Sequence, residues 1–336
     1  MAVVKLALPK GSLEAATQEF LAKAMLRLRG AERTYRPVVD DRDIEVKILR
    51  PQEIPVFVAG GAYDIGITGV DWVRETGADV LQLLDLEYGY VRLVVAAPKI
   101  SPLNNLDQYI QKHASENKPL KISTEYLNTA ASYVASQPSY KRLYGDKQPQ
   151  IITPWWRKGE NGMVRIYLSF GATEAKPPEE ADLIMDASAT GITLEQNNLK
   201  PLDTVAESTA FLIANRQSFE NDVKREKILD ILTLLKGVVE SGKKLHIFVN
   251  VHENNLETLL KSLPALKSPT ISPLSNRGWY AINTVIPKHE FLRILPTLRK
   301  LAQGLVVHEP NLILPLEEIM TQQGASQKDD KGRQSP

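Results

Sequence analysis

Two α/β units followed by a βαββαβ module is the architecture this sequence predicts, on three observations. Short apolar runs alternate with helix-like segments through the first hundred residues, joined by brief loops. The alternation restarts after Pro98. Beyond Ser241-Gly242 it gives way to strand, helix, two strands, helix and strand, the order of a ferredoxin-like small domain.

In chain order, Val3–Leu8 predicts a strand, Pro9-Lys10-Gly11-Ser12 a turn, and Ser12 the cap of a helix reaching about Leu28. Glu14 adds negative charge to that helix's first turn. Glu45–Leu49 is a second strand, Pro51–Ala59 a short helix with Pro at its start, and Asp64–Thr68 a third strand before Gly69 and a helix from Val70. Leu93–Ala97 closes this unit. In the second, Lys121–Thr124, Ile151–Ile152, Ile166–Leu168 and Ala181–Met185 are strands, and Tyr126–Ala135 is a helix. Thr153–Gly162, with two Trp and two cations, predicts a surface excursion. Leu202–Ala214 is strand-like and runs into a strong helix, Val223–Val239. The last module reads as His246–Val251, Asn255–Leu263, Thr270–Leu274, Trp279–Val285, Phe291–Ala302 and Leu305–His308. Residues 321–336 are polar and nearly free of apolar groups, a disordered tail.

Composition removes several function classes. With 336 residues, 43% apolar and 24% charged, the chain has the makeup of a globular enzyme. Lys and Arg number 41 against 40 Asp and Glu, so no basic field argues for nucleic acid as a partner. The absence of cysteine excludes disulfides, thiol nucleophiles and cysteine-bound zinc. No apolar span is long enough for a membrane, and the opening MAVVKLALPKGS lacks a signal pattern, so a cytoplasmic location is expected. Of five histidines, His246 and His252 fall on one strand face about 20 Å apart, too far to share a metal.

The most informative stretch is Ala181–Leu199. A buried-type strand opens through Asp186, Ala187, Ser188, Ala189, Thr190, Gly191, Ile192 and Thr193 into a helix. Such a loop aims unpaired backbone N–H groups and the helix dipole at one point, which suits a phosphate. The loop has no lysine, so it is not a nucleotide P-loop, and the Asp would be free for a ribose hydroxyl. An ordinary strand-to-helix turn with Ser/Thr caps fits the same residues. Three further segments end predicted strands, where open α/β sheets place ligands: LPKGSL (8–13), LRPQEIP (49–55) and DIGITGVDW (64–72). Within them Lys10 and Arg50 suit phosphate oxygens, and Asp71 suits a helix N-terminus.

Taken in order, LALPKGSL, LRPQEIPVFV, YDIGITGVDWV, TEYLN, FGATEAKPPEEADLIMD and TGITLEQNNLK resemble the ATP phosphoribosyltransferases, first enzymes of histidine biosynthesis. LKSPTISPLSNRGWYAINTVIP resembles the regulatory domain of that family's long form. The resemblance implies two periplasmic-binding-protein-like lobes: lobe I from residues 1–98 and 203–240, and lobe II from 99–202 with the phosphate loop. A histidine-sensing domain at 241–320 would follow. It implies a reaction between ATP and 5-phosphoribosyl 1-pyrophosphate, with Mg²⁺ held mainly through substrate phosphates, and homo-oligomers built from dimers to hexamers. Carried onto this chain, the loop 186–193 would bind the phosphoribosyl group. Lys10, Gly11, Arg50, Asp71 and Glu125 would line the ATP side, and Lys10, Arg50, Glu174 and Asp186 would carry catalysis. Asn250, Leu266, Thr270, Val285 and Leu305 would form an inhibitory L-histidine site. Two departures stand out: the lengthened 153–162 segment, and ASATGIT where many members carry a bulkier apolar residue. The competing reading is a catalytically silent two-lobed ligand-binding regulatory paralogue.

Overall fold

The computed structural model describes residues 3–264 and 269–314. The chain divides into two compact units, Val4–Ala16 with Val46–Asn221, and Thr17–Glu45 with the chain from Asp222. The first unit runs β1 (Val4–Pro9), the start of α1 (Glu14–Lys23), most of β2 (Ile44–Leu49), α2 (Ile54–Ala59), β3 (Ile65–Gly69), α3 (Val70–Thr76), β4 (Leu81–Asp85) and β5 (Val91–Pro98). It continues through α4 (Leu106–Ser115), β6 (Leu120–Thr124), α5 (Leu127–Ser136), α6 (Pro138–Tyr144), β7 (Pro149–Ile152), β8 (Arg157–Lys158) and β9 (Asn161–Leu168). A 3₁₀ turn at Thr173–Ala175, β10 (Leu183–Ser188), α7 (Ile192–Gln196), β11 (Leu199–Ser208), β12 (Ala210–Ala214) and α8 (Arg216–Glu220) complete it.

These strands form two sheets, ordered β2-β1-β3-β12-β4 and β11-β5-β10-β6-β9-β7-β8. In the second, β10, β6, β9 and β7 are mutually parallel, so their C-terminal ends share one edge. That parallel core is apolar on both faces, as buried parallel strands require: Leu183, Ile184 and Met185 are all fully buried. The chain changes sheets after β4 and after β11, not near residues 98 and 203 as expected. β5 explains the difference. Leu93–Ala97 is buried throughout, which demands a flanked position, and β5 finds it between β10 and β11. The run Leu202–Ala214 accordingly splits, β11 joining one sheet and β12 the other. The first helix ends at Lys23 rather than Leu28, because Met25 takes a left-handed φ of 63° and Leu26 N–H turns back to the Leu21 carbonyl.

In the second unit, α9 (Asp222–Gly242) precedes β13 (Lys244–His252), α10 (Glu253–Ser262), β14 (Thr270–Pro273), β15 (Trp279–Pro287), α11 (Lys288–Leu301) and β16 (Ala302–His308). The sheet order β14-β15-β13-β16 is that of the expected ferredoxin-like module. Ile247, Val249, Val251, Ile282 and Ile286 pack on one face with Leu259 of α10 and with Ile294 and Leu298 of α11. Leu266 and the expected tail at 321–336 lie outside the described residues.

Helix α5 enters the first unit through a cap supplied from far away in sequence. Glu75 of α3 accepts hydrogen bonds from Asn128 N–H (2.8 Å), Thr129 N–H (2.8 Å) and the Thr129 hydroxyl (2.7 Å). The carboxylate is buried, so these donors have no water to fall back on. Glu75→Ala is expected to cost about 2–4 kcal/mol in denaturant unfolding, and Glu75→Gln less. An unchanged midpoint for Glu75→Ala would show that α5 does not depend on this cap.

Candidate active site

The ends of β1, β2 and β3 carry the cationic side of the site. Lys10 N–H donates to the Leu49 carbonyl at 2.7 Å, which sets Lys10 beside Arg50. The Thr68 hydroxyl donates to the Pro51 carbonyl at 2.9 Å and fixes the turn after Arg50. Arg50 has an exposed side chain, while the Lys10 ammonium sits 3.0 Å from Glu14. Gly11 turns the chain at φ 88°, and its N–H reaches the Glu14 carboxylate, so Glu14 rather than Ser12 organises this helix start.

Across the same unit, Glu125 directly follows β6 and β10 runs through Asp186. Gln52 Nε2 donates to Glu125 Oε2 at 3.0 Å. Asp186 accepts from Ala187 N–H at 2.7 Å. Its pKa is nevertheless pushed up to about 6, chiefly by burial and then by the charges of Glu174 and Glu125; the Ala187 N–H and the Thr173 hydroxyl act the other way. Asp186 therefore senses both of the other carboxylates. Glu174 is carried by the 3₁₀ turn at 173–175, braced by Thr173 to Ser169 and Ser169 to the Gly171 carbonyl, both 3.1 Å. Beyond Asp186, Ala187, Ala189, Thr190, Ile192 and Thr193 are exposed, and Ser188 and Gly191 are half-buried. Gly191 takes φ 81° and begins α7 without a side-chain cap. A Cβ there would meet nothing within 4 Å, so the space before the loop is open.

Asp71 departs from the expected ATP contact. It is 6% exposed, and both carboxylate oxygens are taken, Oδ2 by the Tyr126 hydroxyl and Oδ1 by the Ser208 hydroxyl, each at 2.6 Å. Its work is internal: it ties α3 to β11 and to the residue next to Glu125. Trp72 stacks on Tyr126 with ring centroids 4.3 Å apart. Sequence reasoning missed Gln52, Tyr126, Thr173 and Ser208; Tyr126 directly after Glu125 was the one visible hint. The 153–162 segment holds the turn from β7 into β8, β8 itself and the start of β9, with Trp155 exposed and in edge contact with Phe170.

In the C-terminal sheet, Asn250, Thr270 and Val285 share the face that α10 and α11 leave uncovered, since Thr270 pairs with Asn283, and Val285 with His246. Leu305 pairs with Val249 and packs into the helix-covered core, so the structure does not bring it to the other three. Among the described residues no group of three or more His, Asp or Glu side chains is close enough to hold a metal ion by itself. No helix among them is long and apolar enough to cross a membrane.

Two sheets, with cations at the strand ends of one and carboxylates beside a small-residue loop on the other, define a two-sheet α/β protein with a candidate ligand site. The family model described as ATP phosphoribosyltransferase matches residues 50–237, and the one described as HisG, C-terminal domain, matches 242–309. ATP phosphoribosyltransferase from Chlorobaculum parvum is 36% identical over 318 residues, covering 93% of this chain and 98% of the relative. That from Solibacter usitatus is 37% identical, covering 93% and 99%. Among solved structures, the ATP phosphoribosyl transferase (HisG:HisZ) complex from Thermotoga maritima aligns with TM-score 0.54 at 26% identity, covering 71% of this chain and 99% of that one. The chain belongs to the ATP phosphoribosyltransferase family and is a phosphoribosyl-transferring enzyme.

The raised Asp186 pKa has a stability consequence. A carboxyl that binds its proton more tightly when folded contributes stability below its unfolded value near 3.8, and that stability is lost as pH rises through about 6. Asp186→Asn removes the charge without the shape. It is expected to unfold at a higher temperature than the parent at pH 8, with the gain gone at pH 4. Equal gains at both pH values would show that Asp186 is not held in a charge-averse setting.

Proposed function

We propose that the enzyme joins ATP to 5-phosphoribosyl 1-pyrophosphate, giving N1-(5-phosphoribosyl)-ATP and pyrophosphate, the first committed step of L-histidine biosynthesis. The observation that carries this reading is Asp186 near the end of β10, followed by the open turn at 189–191 into α7, in a compact unit that also presents Lys10 and Arg50, in a chain matched by the family over both its blocks. Adenine N1 attacks ribose C1 as the bond from C1 to the pyrophosphate oxygen breaks. Positive charge develops on the ribosyl carbon and negative charge on the leaving group.

Each side of the site suits one of those charges. Arg50 and Lys10 would neutralise polyphosphate, and Gly11 lets the chain turn close to it. Asp186 would take ribose hydroxyls, whose donors stabilise its charged form, while Ser188, Thr190, Thr193 and the loop N–H groups take the 5-phosphate. Alkylating N1 acidifies the exocyclic amine, and Glu125 or Glu174 could receive that proton. Most of the acceleration would come from positioning and electrostatics. A hard cation fits this setting. Asp186 is destabilised by neighbouring negative charge, yet the carboxylates form no cage, as suits Mg²⁺ arriving on substrate phosphates. Its chemistry when bound is charge neutralisation on the departing pyrophosphate. Asp71 holds Tyr126 and acts on Glu125 by position.

We assign the five-stranded and seven-stranded sheets to the two lobes and the C-terminal module to feedback by L-histidine. Asn250 and Thr270 would bond the ligand on the uncovered sheet face with Val285 beside its ring, between C-terminal domains of neighbouring copies in a homo-oligomer. Leu305 has no direct part, because its side chain faces the helices.

Turnover of ATP and phosphoribosyl pyrophosphate with Mg²⁺, followed in the near ultraviolet, tests the reaction; a silent paralogue would bind both and give no product. Arg50→Ala is expected to lower kcat/KM by about two to three orders of magnitude. Gly191→Val is expected to abolish turnover, because a β-branched residue resists φ 81° and would fill the open space before the loop. Normal kinetics in Gly191→Val would remove the loop from the site. Millimolar L-histidine is expected to inhibit the parent and to inhibit Thr270→Ala far less; no inhibition of the parent would leave the C-terminal module without a sensing role.

A further inference from the structure

Gln52 sits in the turn between β2 and α2, two residues after Arg50, and its side-chain amide is locked in an unusual way. The turn is fixed by Glu53 N–H to the Arg50 carbonyl (3.0 Å) and by the Thr68 hydroxyl on the Pro51 carbonyl (2.9 Å). Nε2 donates to Glu125, so rotating the amide by half a turn would face two oxygens. In the orientation observed, Oε1 is buried and accepts no hydrogen bond. Such orphaned acceptors are rare in folded proteins, since each forfeits its hydration without return.

Gln52 Oε1 and the Glu125 carboxylate are thus neighbouring acceptors, one of them without any donor. The ligand chemistry that satisfies both is an amino group with two N–H bonds. Glu125 also interacts electrostatically with Asp186, where the ribosyl group is expected. In a 6-aminopurine the amine and N1 are attached to the same ring carbon. An amine held at Gln52 and Glu125 therefore carries N1 with it toward the ribosyl carbon. A 6-oxopurine would present an oxygen to the same two acceptors.

We infer that Gln52, with Glu125, reads the exocyclic amine of the attacking base and makes the enzyme select 6-aminopurine over 6-oxopurine nucleotides. On binding, the amide exchanges its bond to Glu125 for the base, and the buried Oε1 gains its donor. Gln52 is in this sense a specificity-determining residue, and the assignment rests on the reaction proposed above.

The experiment compares the parent enzyme with Gln52→Leu, and with Gln52→Met, which stays close to glutamine in volume should the first variant fold poorly. The readings are KM for ATP, KM for phosphoribosyl pyrophosphate, and the inhibition constant of inosine triphosphate against ATP. The parent is expected to bind inosine triphosphate far more weakly than ATP. In the variants KM for ATP rises about tenfold, KM for phosphoribosyl pyrophosphate holds, and the preference for ATP over inosine triphosphate falls about tenfold. An unchanged preference, or equal changes in both KM values, overturns the inference and leaves the reaction standing. No turnover by the parent overturns the reaction and this inference with it.

Discussion

The buried carboxylate of Asp71 is the constraint on which the site's arrangement depends. A carboxylate removed from water with no cation beside it stays charged only if strong donors meet its oxygens. Here Tyr126 and Ser208 each donate at 2.6 Å, and Ser208 in turn accepts the Asp71 N–H at 3.2 Å. Burial and the Asp71 charge together hold the Tyr126 hydroxyl far above the ordinary tyrosine range, so it remains a donor at every physiological pH. The cluster joins α3, the end of β11 and the entry to α5. It also dictates sequence nearby: a Cβ on Gly69 would lie 2.1 Å from Asp71 Oδ1, so glycine is required there. Removing either donor would leave one buried carboxylate oxygen unsatisfied, a loss of about 1–3 kcal/mol. Glu125, one residue before Tyr126, inherits its position from this cluster.

Charge is distributed unevenly around that fixed point. On the strand ends of the five-stranded sheet the cations are solvated, Arg50 exposed and Lys10 sharing its charge with Glu14. On the other sheet three acids share one region, and burial first, with the neighbouring Glu174 and Glu125 charges adding to it, raises the Asp186 pKa to about 6. A fold optimised only for stability would pair that carboxylate or replace it. Retaining it makes sense where a ligand brings hydroxyl donors or a cation, so that binding relieves a strain that folding alone leaves in place. The orphaned Gln52 oxygen beside Glu125 has the same character.

What the sequence revealed follows the range of the interactions involved. The 181–199 stretch was legible in outline because a both-faces-buried strand, a small-residue loop and a helix start are local patterns; the boundaries moved, because β10 continues through Asp186–Ser188 by pairing with β5, which shortens the loop, and α7 starts at Ile192. The βαββαβ module was legible for the same reason. Asp71 was not, because its partners lie 55 and 137 residues away and nothing local distinguishes a helix-dipole acid from a buried clamp. The sheet membership of β5 turned on which neighbours flank it, a tertiary fact. Leu305 was expected on resemblance alone; that it lies opposite Val249, on the helix-covered face, follows from strand pairing and packing that no short motif states.

The glycines show how the fold keeps its loop chemistry apart from its core. At Gly66 a Cβ would press on Ile54 at 2.6 Å and Val58 at 3.0 Å, and at Gly69 it would strike Asp71, so both are packing glycines that the folded state cannot lose cheaply. Gly191 is different in kind. Its φ of 81° asks for glycine, yet no atom lies within 4 Å of where a Cβ would be. A side chain there strains the backbone by about 1–2 kcal/mol and disturbs no neighbour. The short helix it starts is anchored by Leu194, which packs with Val94, Ala96, Ile184 and Leu199 from the sheet beneath. The turn at Gly191 can therefore stay open, because the anchoring is done three residues later by an apolar side chain with no role in the chemistry.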